Sequence, residues 1–284
     1  MESNNNINGD LKELDKLARY LSIPYKKSKA EIWESIKPEE EASEPKVISL
    51  NYRRTRMVWA AAVVALLIGT GLTMRFYHYS VKSQPGQLAT FYLPDGSEVS
   101  LSSQSKVTYY PLWWSFSRIV TLDGEAFFKV QKGKQFSVKS ERGVTTVLGT
   151  SFDIYARNNN YRVVCYTGKV SVKARDSENK IILTPGEKAE IDKSGQLTFS
   201  KETKPKQYVA WLNNQFVFTS VPVELVLEEM ARRYNITITI ERAVKGSYTG
   251  NFSTSTPVEQ AISIVCKPFG LTFVKNDEHH FIIK

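Results

Sequence analysis

The 18 residues from Met57 to Met74 (MVWAAAVVALLIGTGLTM) carry no charge. As a helix rising about 1.5 Å per residue, the run is about 27 Å long. That nearly matches a bilayer core of about 30 Å, and Phe76 and Tyr77 extend the fit. It is apolar on every face, whereas a helix at the rim of a soluble core shows only one apolar stripe. Trp59 on one side and Tyr77 and Tyr79 on the other suit interfacial aromatic belts. A cleaved secretion signal stands at an N-terminus, and 56 mostly polar residues precede this run. Residues 57–77 are therefore expected to cross a membrane once.

Direction follows from the flanking cations. Lys46, Arg53, Arg54 and Arg56 precede the run, while Arg75 and Lys82 are the only close cations after it. Positive flanks stay cytoplasmic, so the N-terminus is read as inside and everything beyond about residue 78 as exported. The formal charge of +9 first suggests nucleic acid. The first 50 residues are slightly acidic, however, and the remaining excess is spread thinly. No basic stripe interleaved with aromatics is present, and direct nucleic-acid binding is set aside.

Residues 1–50 read as a short helical tail. Leu11, Leu14, Leu17, Ala18 and Leu21 recur at three- and four-residue steps, the stripe of one helix face. Asp10 suits its N-cap, and Pro24 closes it. Ser28-Lys29-Ala30-Glu31 has the form of a capping box and opens a second short helix carrying Ile32, Trp33 and Ile36. Lys37 to Leu50, acidic and proline-containing, reads as a linker. Two helices this short bury little apolar area alone. Leu11, Leu14, Leu17, Leu21, Ile32, Trp33 and Ile36 are thus candidate partner-binding residues, in the manner of a helix laid into a groove.

From residue 87 to about 200 the period changes to short β-rich runs separated by turns such as Pro94-Asp95-Gly96 and Pro185-Gly186. Such spacing means an all-β domain: a sandwich, jelly roll or β-solenoid. Ile119–Leu122 and Ala126–Val130 read as separate strands around Asp123-Gly124-Glu125. No catalytic set is assembled. His78, His279 and His280 have no nucleophile at a meaningful spacing, and Ser151 lacks the elbow pattern. Asp123, Glu125 and Asp153 read as exposed-face or turn acids. There is no phosphate loop and no metal-spaced Cys/His set, so no cofactor and no enzymatic activity are expected. Cys165 and Cys266 read as buried free thiols, with a disulfide open in an oxidising compartment.

Beyond a Lys201–Lys206 linker, residues 208–284 contain a repeat. Ser220-Val-Pro222-Val-Glu224 returns as Ser255-Thr-Pro257-Val-Glu259, and Tyr234-Asn-Ile-Thr-Ile238 as Phe269-Gly-Leu-Thr-Phe273, both at an offset of 35. Each copy reads strand, helix, strand, with Pro222 and Pro257 in the first helical turn. Val223, Val226, Leu227, Met230 and Tyr234 make one apolar face, and Val258, Ala261, Ile262, Val265 and Phe269 the other. Asn235 and Gly270 suit the left-handed turn that ends a helix. A final strand at Phe281–Ile283 completes an α+β module with two βαβ-like halves, whose strand edges suit partner pairing.

Several motifs carry a resemblance: Leu93-Pro-Asp-Gly-Ser97, Val120-Thr-Leu-Asp-Gly-Glu-Ala-Phe-Phe-Lys-Val130, Val147-Leu-Gly-Thr-Ser-Phe-Asp-Ile154, Gly168-Lys-Val-Ser-Val172 and Leu183-Thr-Pro-Gly-Glu187. In this order they resemble the periplasmic domain of FecR-type anti-sigma factors. The repeat is similar to the secretin/TonB N-terminal-like domain that follows FecR domains in Bacteroidota. Ser28 to Ile36 resembles a short tail of Bacteroidota members, and the tail is shorter than the helical anti-sigma domain common in the family. The resemblance implies an inner-membrane protein whose tail binds an extracytoplasmic-function (ECF) sigma factor. It also implies a periplasmic signal from a TonB-dependent outer-membrane transducer, and membrane proteases that release the sigma factor to transcribe uptake genes. The alternative is a membrane-anchored periplasmic scaffold or glycan-binding module.

Overall fold

The computed structural model describes residues 14–18, 20, 27–36, 52–175, 177–192, 194–202 and 204–284. The chain divides into Met1–Val63 and Val64–Lys284. In the first unit, residues 14–18 and 20 are helical. Helix α1 (Lys29–Ile36) begins at the anticipated capping box: the Ser28 N–H donates to Glu31 Oε2 at 2.8 Å, and the Glu31 N–H to Ser28 Oγ at 3.2 Å. Leu11, Leu21, the Asp10 cap, Pro24 and the 37–50 linker lie outside the described residues.

Helix α2 (Tyr52–Phe76) is 25 residues long and takes in Arg53, Arg54 and Arg56 as well as the apolar run. It starts before Met57 because nothing in Tyr-Arg-Arg-Thr-Arg breaks a helix. Within its Arg53–Phe76 stretch an 18-residue window has a mean hydropathy of 2.0 and is not buried, and the helix is long and apolar enough to cross a membrane.

Thirteen strands follow in one continuous ladder. It falls into two layers. The first runs β1 (Tyr79–Lys82), β4 (Lys106–Tyr109), the first half of β5 (Arg118–Lys129), β6 (Phe136–Lys139), β7 (Gly143–Val147), β10 (Val170–Ala174) and β11 (Lys180–Leu183). The second runs β2 (Ala89–Tyr92), β3 (Glu98–Leu101), the second half of β5, β8 (Ser151–Arg157), β9 (Asn160–Cys165), β12 (Glu187–Ile191) and β13 (Leu197–Lys201). Val107, Val120, Val138 and Val172 of the first layer share one buried core with Val99, Phe128, Ile154 and Val163 of the second. That is a β-sandwich, held by apolar residues alternating inward along each strand.

Strand β5 corrects the reading of two separate strands. Its first half pairs with β4 and β6, and its second with β3 and β8. Gly124 stands where it changes sheet, at φ +110, and a β-carbon there would lie 2.6 Å from Ser105 Oγ. Glycine in a strand marks such a bend, so Asp123-Gly124-Glu125 is a corner within a strand. Strand β1 also precedes the expected β-rich stretch; it starts three residues after α2 and pairs with β4, Tyr79 opposite Tyr109.

The expected 201–206 linker is instead the end of β13 followed by a 3-10 segment, Pro205–Asn213, which buries Trp211. After it come β14 (Gln215–Pro222), α3 (Val223–Tyr234), β15 (Thr237–Ile240), β16 (Ser247–Ser253), α4 (Val258–Cys266), β17 (Phe273–Lys275) and β18 (His280–Ile283). β14 pairs with β16, while β18 lies between β15 and β17. Val226, Leu227 and Met230 of α3 meet Ala261, Ile262 and Val265 of α4 and Phe281 in a second core. Pro222 and Pro257 sit one position earlier than expected, at the N-caps. Asn235 and Gly270 take left-handed φ values of 56 and 64. Only the second copy tightens into a 3-10 turn, Lys267–Phe269, before that glycine; Pro268 there has no N–H to continue an α-helix.

Candidate functional site

On the tail, Leu14 is 60% and Leu17 58% exposed, and Trp33 and Ile36 are 69% and 60% exposed. Ile32 is half-buried. None of these belongs to a buried cluster among the described residues. Large apolar side chains left exposed on short helices are what a partner-binding surface requires.

The cations flanking the apolar run lie on α2 itself. Arg53, Arg54 and Arg56 are exposed in its first turns, and Arg75 is exposed in its last. The Arg75 guanidinium lies 5.7 Å from the Tyr110 ring centre and 5.8 Å from that of Trp113.

The Leu93–Ser97 motif forms a lock. Asp95 accepts from the Ser97 N–H at 3.0 Å and the Ser97 hydroxyl at 2.9 Å. Ser97 Oγ in turn accepts from the Gln131 N–H at 3.0 Å. Arg118, buried on β5, pairs with Asp95 and donates to the Lys134 carbonyl at 2.7 Å and the Gln131 carbonyl at 3.1 Å. The motif thus ties the β2–β3 turn to the loop after β5; its role is structural.

The outward face of the second sheet holds a cluster of charged residues, Glu125, Asp153 and Arg162. Cross-strand register sets Glu125 opposite Tyr155, Tyr155 opposite Arg162, and Phe127 opposite Asp153. Glu125 and Asp153, expected at exposed positions, are 5% and 0% exposed. Their phase on the strands is outward, but the 205–213 segment and α3 cover that face. Tyr166 donates to the Pro205 carbonyl at 2.7 Å, and the Tyr208 ring centre lies 4.6 Å from the Arg162 guanidinium. The Ser103 hydroxyl donates to the Arg232 carbonyl at 2.8 Å, and the Gly86 N–H to the same oxygen at 2.9 Å. Asp123 is exposed, as expected.

Within this joint, Arg162 Nη2 lies 3.7 Å from Glu125 Oε1. Burial, with help from Glu229, pushes the Glu125 carboxyl up to about 7 against the pull of Arg162 and Arg157. Burial and then the neighbouring Glu125 hold Asp153 well above the usual carboxylate range, against Arg162. Both Asp153 oxygens and the Trp211 indole nitrogen are buried without a well-formed hydrogen bond. The Trp211 N–H acts on Asp153 as a donor short of that geometry. Beside the cluster, a cleft of about 610 Å³ lies between the sheet and β14, lined by Arg162, Lys188, Tyr208, Trp211 and Arg233 among others. The spacing of the acids offered no signal for this joint; the one available was Trp211, a large aromatic between the expected 201–206 linker and the repeat.

Cys165 and Cys266 are buried free thiols, each pushed up to about 11 by burial, with Glu187 adding to the rise at Cys165. Among the described residues no group of three or more His, Cys, Asp or Glu could hold a metal ion. His78 and His279 are exposed, and His280 faces Thr239 at 2.9 Å.

Comparison with known proteins fits this architecture. No curated protein matches the chain. Two crystal structures of a candidate anti-sigma factor from Parabacteroides distasonis resemble it, each with a TM-score of 0.66. They are 25% and 26% identical to this chain and cover 72% and 73% of it, and 98% of their own length is matched. The FecR protein family matches residues 79–171, the greater part of the sandwich, and the FecR C-terminal family matches residues 215–283. Together these matches take in more than half of the length, and the chain belongs to the FecR family.

Proposed function

We propose that this FecR-family chain is an anti-sigma factor anchored in the bacterial inner membrane. Residues 1–50 bind an ECF sigma factor in the cytoplasm, α2 crosses the membrane once, and the sandwich and C-terminal module stand in the periplasm. There they receive a signal from a TonB-dependent transducer, the C-terminal module contributing a strand edge, and membrane proteases then free the sigma factor to transcribe uptake genes. The chain acts by binding and carries no catalytic step.

The observation that carries this reading is the exposure of Leu14, Leu17, Trp33 and Ile36, ahead in sequence of an unburied apolar helix in a FecR-family chain. Family likeness alone leaves function open; exposed apolar side chains ahead of a membrane-length helix narrow it. Residues 1–50 used as bait are expected to retain a sigma factor, and a bait that retains none rejects the reading. For orientation, a phosphatase fused after residue 284 is expected to be active, and one fused at residue 45 inactive.

The cleft lined by Tyr208 and Trp211 favours a second reading, a membrane-anchored scaffold or glycan-binding module. Deleting the tail changes transcription only under the first reading.

A further inference from the structure

The β4–β5 connection, Tyr110–Ser117 (YPLWWSFS), contains no charge. Leu112 is 52% and Phe116 75% exposed, and Trp113 is half-buried. Such residues grouped on one surface loop need a reason. Strand pairing places the loop: because β1 starts three residues after α2 and Tyr79 lies opposite Tyr109, the connection after β4 emerges beside the end of α2. His78 and Tyr110 have ring centres 6.4 Å apart, and Arg75 lies over both Tyr110 and Trp113. Lys134 Nζ donates to the Ser115 carbonyl at 3.4 Å, adding a second cation at the loop.

We propose that the Tyr110–Ser117 loop docks into the headgroup layer of the same membrane that α2 spans, Leu112, Trp113 and Phe116 entering the lipid. The inference rests on the membrane-spanning reading of α2. The loop is continuous with that span: the last turn of α2 supplies Arg75, a long cation whose head reaches the interface while its stem stays apolar. Trp and Tyr concentrate at this depth, and Arg75 and Lys134 suit anionic phosphates. A peripheral apolar element of this kind lies in the interface without crossing it. The sandwich is thereby held against the bilayer at two points, the span and the loop.

The test uses the full chain in phospholipid nanodiscs, with an environment-sensitive fluorophore on one introduced cysteine; Cys165 and Cys266 are buried. The variants are Phe116→Cys, Leu66→Cys inside α2, and Phe199→Cys on β13 at the far edge of the second sheet. Lipids carrying a nitroxide near the headgroup are expected to quench the Phe116→Cys label at least about twofold more than the Phe199→Cys label. Deep-nitroxide lipids are expected to quench the Leu66→Cys label. Quenching of Leu66→Cys with none at Phe116→Cys overturns the docking and leaves the span standing. No quenching at Leu66→Cys overturns the span and the docking with it. A Phe116→Cys label that lipid leaves unquenched, in a variant whose unlabelled thiol cross-links between copies, assigns the loop to a second copy of the chain, and also overturns the proposal.

Discussion

Arg118 on β5 closes its ion pair on Asp95 in the β2–β3 turn, with side-chain exposures of 9% and 16%. Removing one partner from a buried pair strands the other charge, which costs about 3–5 kcal/mol when burial is complete. Asp95 is slightly exposed, so Asp95→Ala is expected at the low end, about 3 kcal/mol. It would appear as a lower denaturation midpoint, and an unchanged midpoint would remove the lock from the account of the sandwich.

Gly124 carries a different strain. Its φ of +110 disfavours any side chain, and a β-carbon there meets Ser105 Cα, Cβ and Oγ at 2.6–2.8 Å. Gly124→Ala should destabilise by about 2 kcal/mol or more, since a strained φ alone costs about 1–3 kcal/mol. Chemical denaturation checks it: the midpoint of Gly124→Ala should fall, and an unchanged midpoint would contradict the strain.

The buried acids make stability depend on pH. The Glu125 carboxyl is raised from 4.5 to about 7, so between those values the folded chain holds a proton the unfolded chain has lost. Stability is then highest below the window and falls as pH rises through it; Asp153, raised in the same direction, adds to the fall. The loss between pH 4.5 and 7 should be on the order of 1–3 kcal/mol, because holding that proton across one pH unit is worth about 1.4 kcal/mol. Thermal melts across that range should flatten in Glu125→Gln, and an equally steep profile in the variant would contradict the assignment.

Trp33 is the sharpest test of the tail. Burying such a side chain contributes about 1.5–3 kcal/mol, so Trp33→Ala should weaken the sigma-factor complex at least about tenfold. Membrane insertion should be unaffected, because α2 is untouched. Calorimetry giving equal affinity for both chains would show that Trp33 is not an anchor.

Local rules were readable where the physics is local. Ser28 and Glu31 cap each other as their spacing indicated, and Asn235 and Gly270 take the left-handed turns. Glu125 and Asp153, read as exposed-face or turn acids, do stand at outward positions of their strands. The local pattern could not tell that a segment about 50 residues beyond Asp153 would cover them, because coverage of a sheet face is a tertiary fact with no local period. Strand β1 was hidden for another reason: Tyr79 suits a membrane interface as well as a strand. The β5 corner was misread because Asp-Gly is also a turn signal. For the tail residues Leu11 and Leu21, only the sequence pattern speaks.

Strand β5 has a consequence for how the chain can vary in length. Val120 and Leu122 face the core where β5 belongs to the first sheet, and Ala126 and Phe128 where it belongs to the second; all stand at even positions, with Gly124 between them. Strand side chains alternate with a period of two, so one inserted or deleted residue turns everything on one side of it inside out. In an ordinary strand such a frameshift of faces damages one sheet. Here a single codon gained or lost near Gly124 would leave one sheet in phase and invert the other's share of the strand, uncoupling two layers that must agree. Length variants among natural relatives should therefore cluster in loops such as Asn158–Asn159 and be absent from Arg118–Lys129.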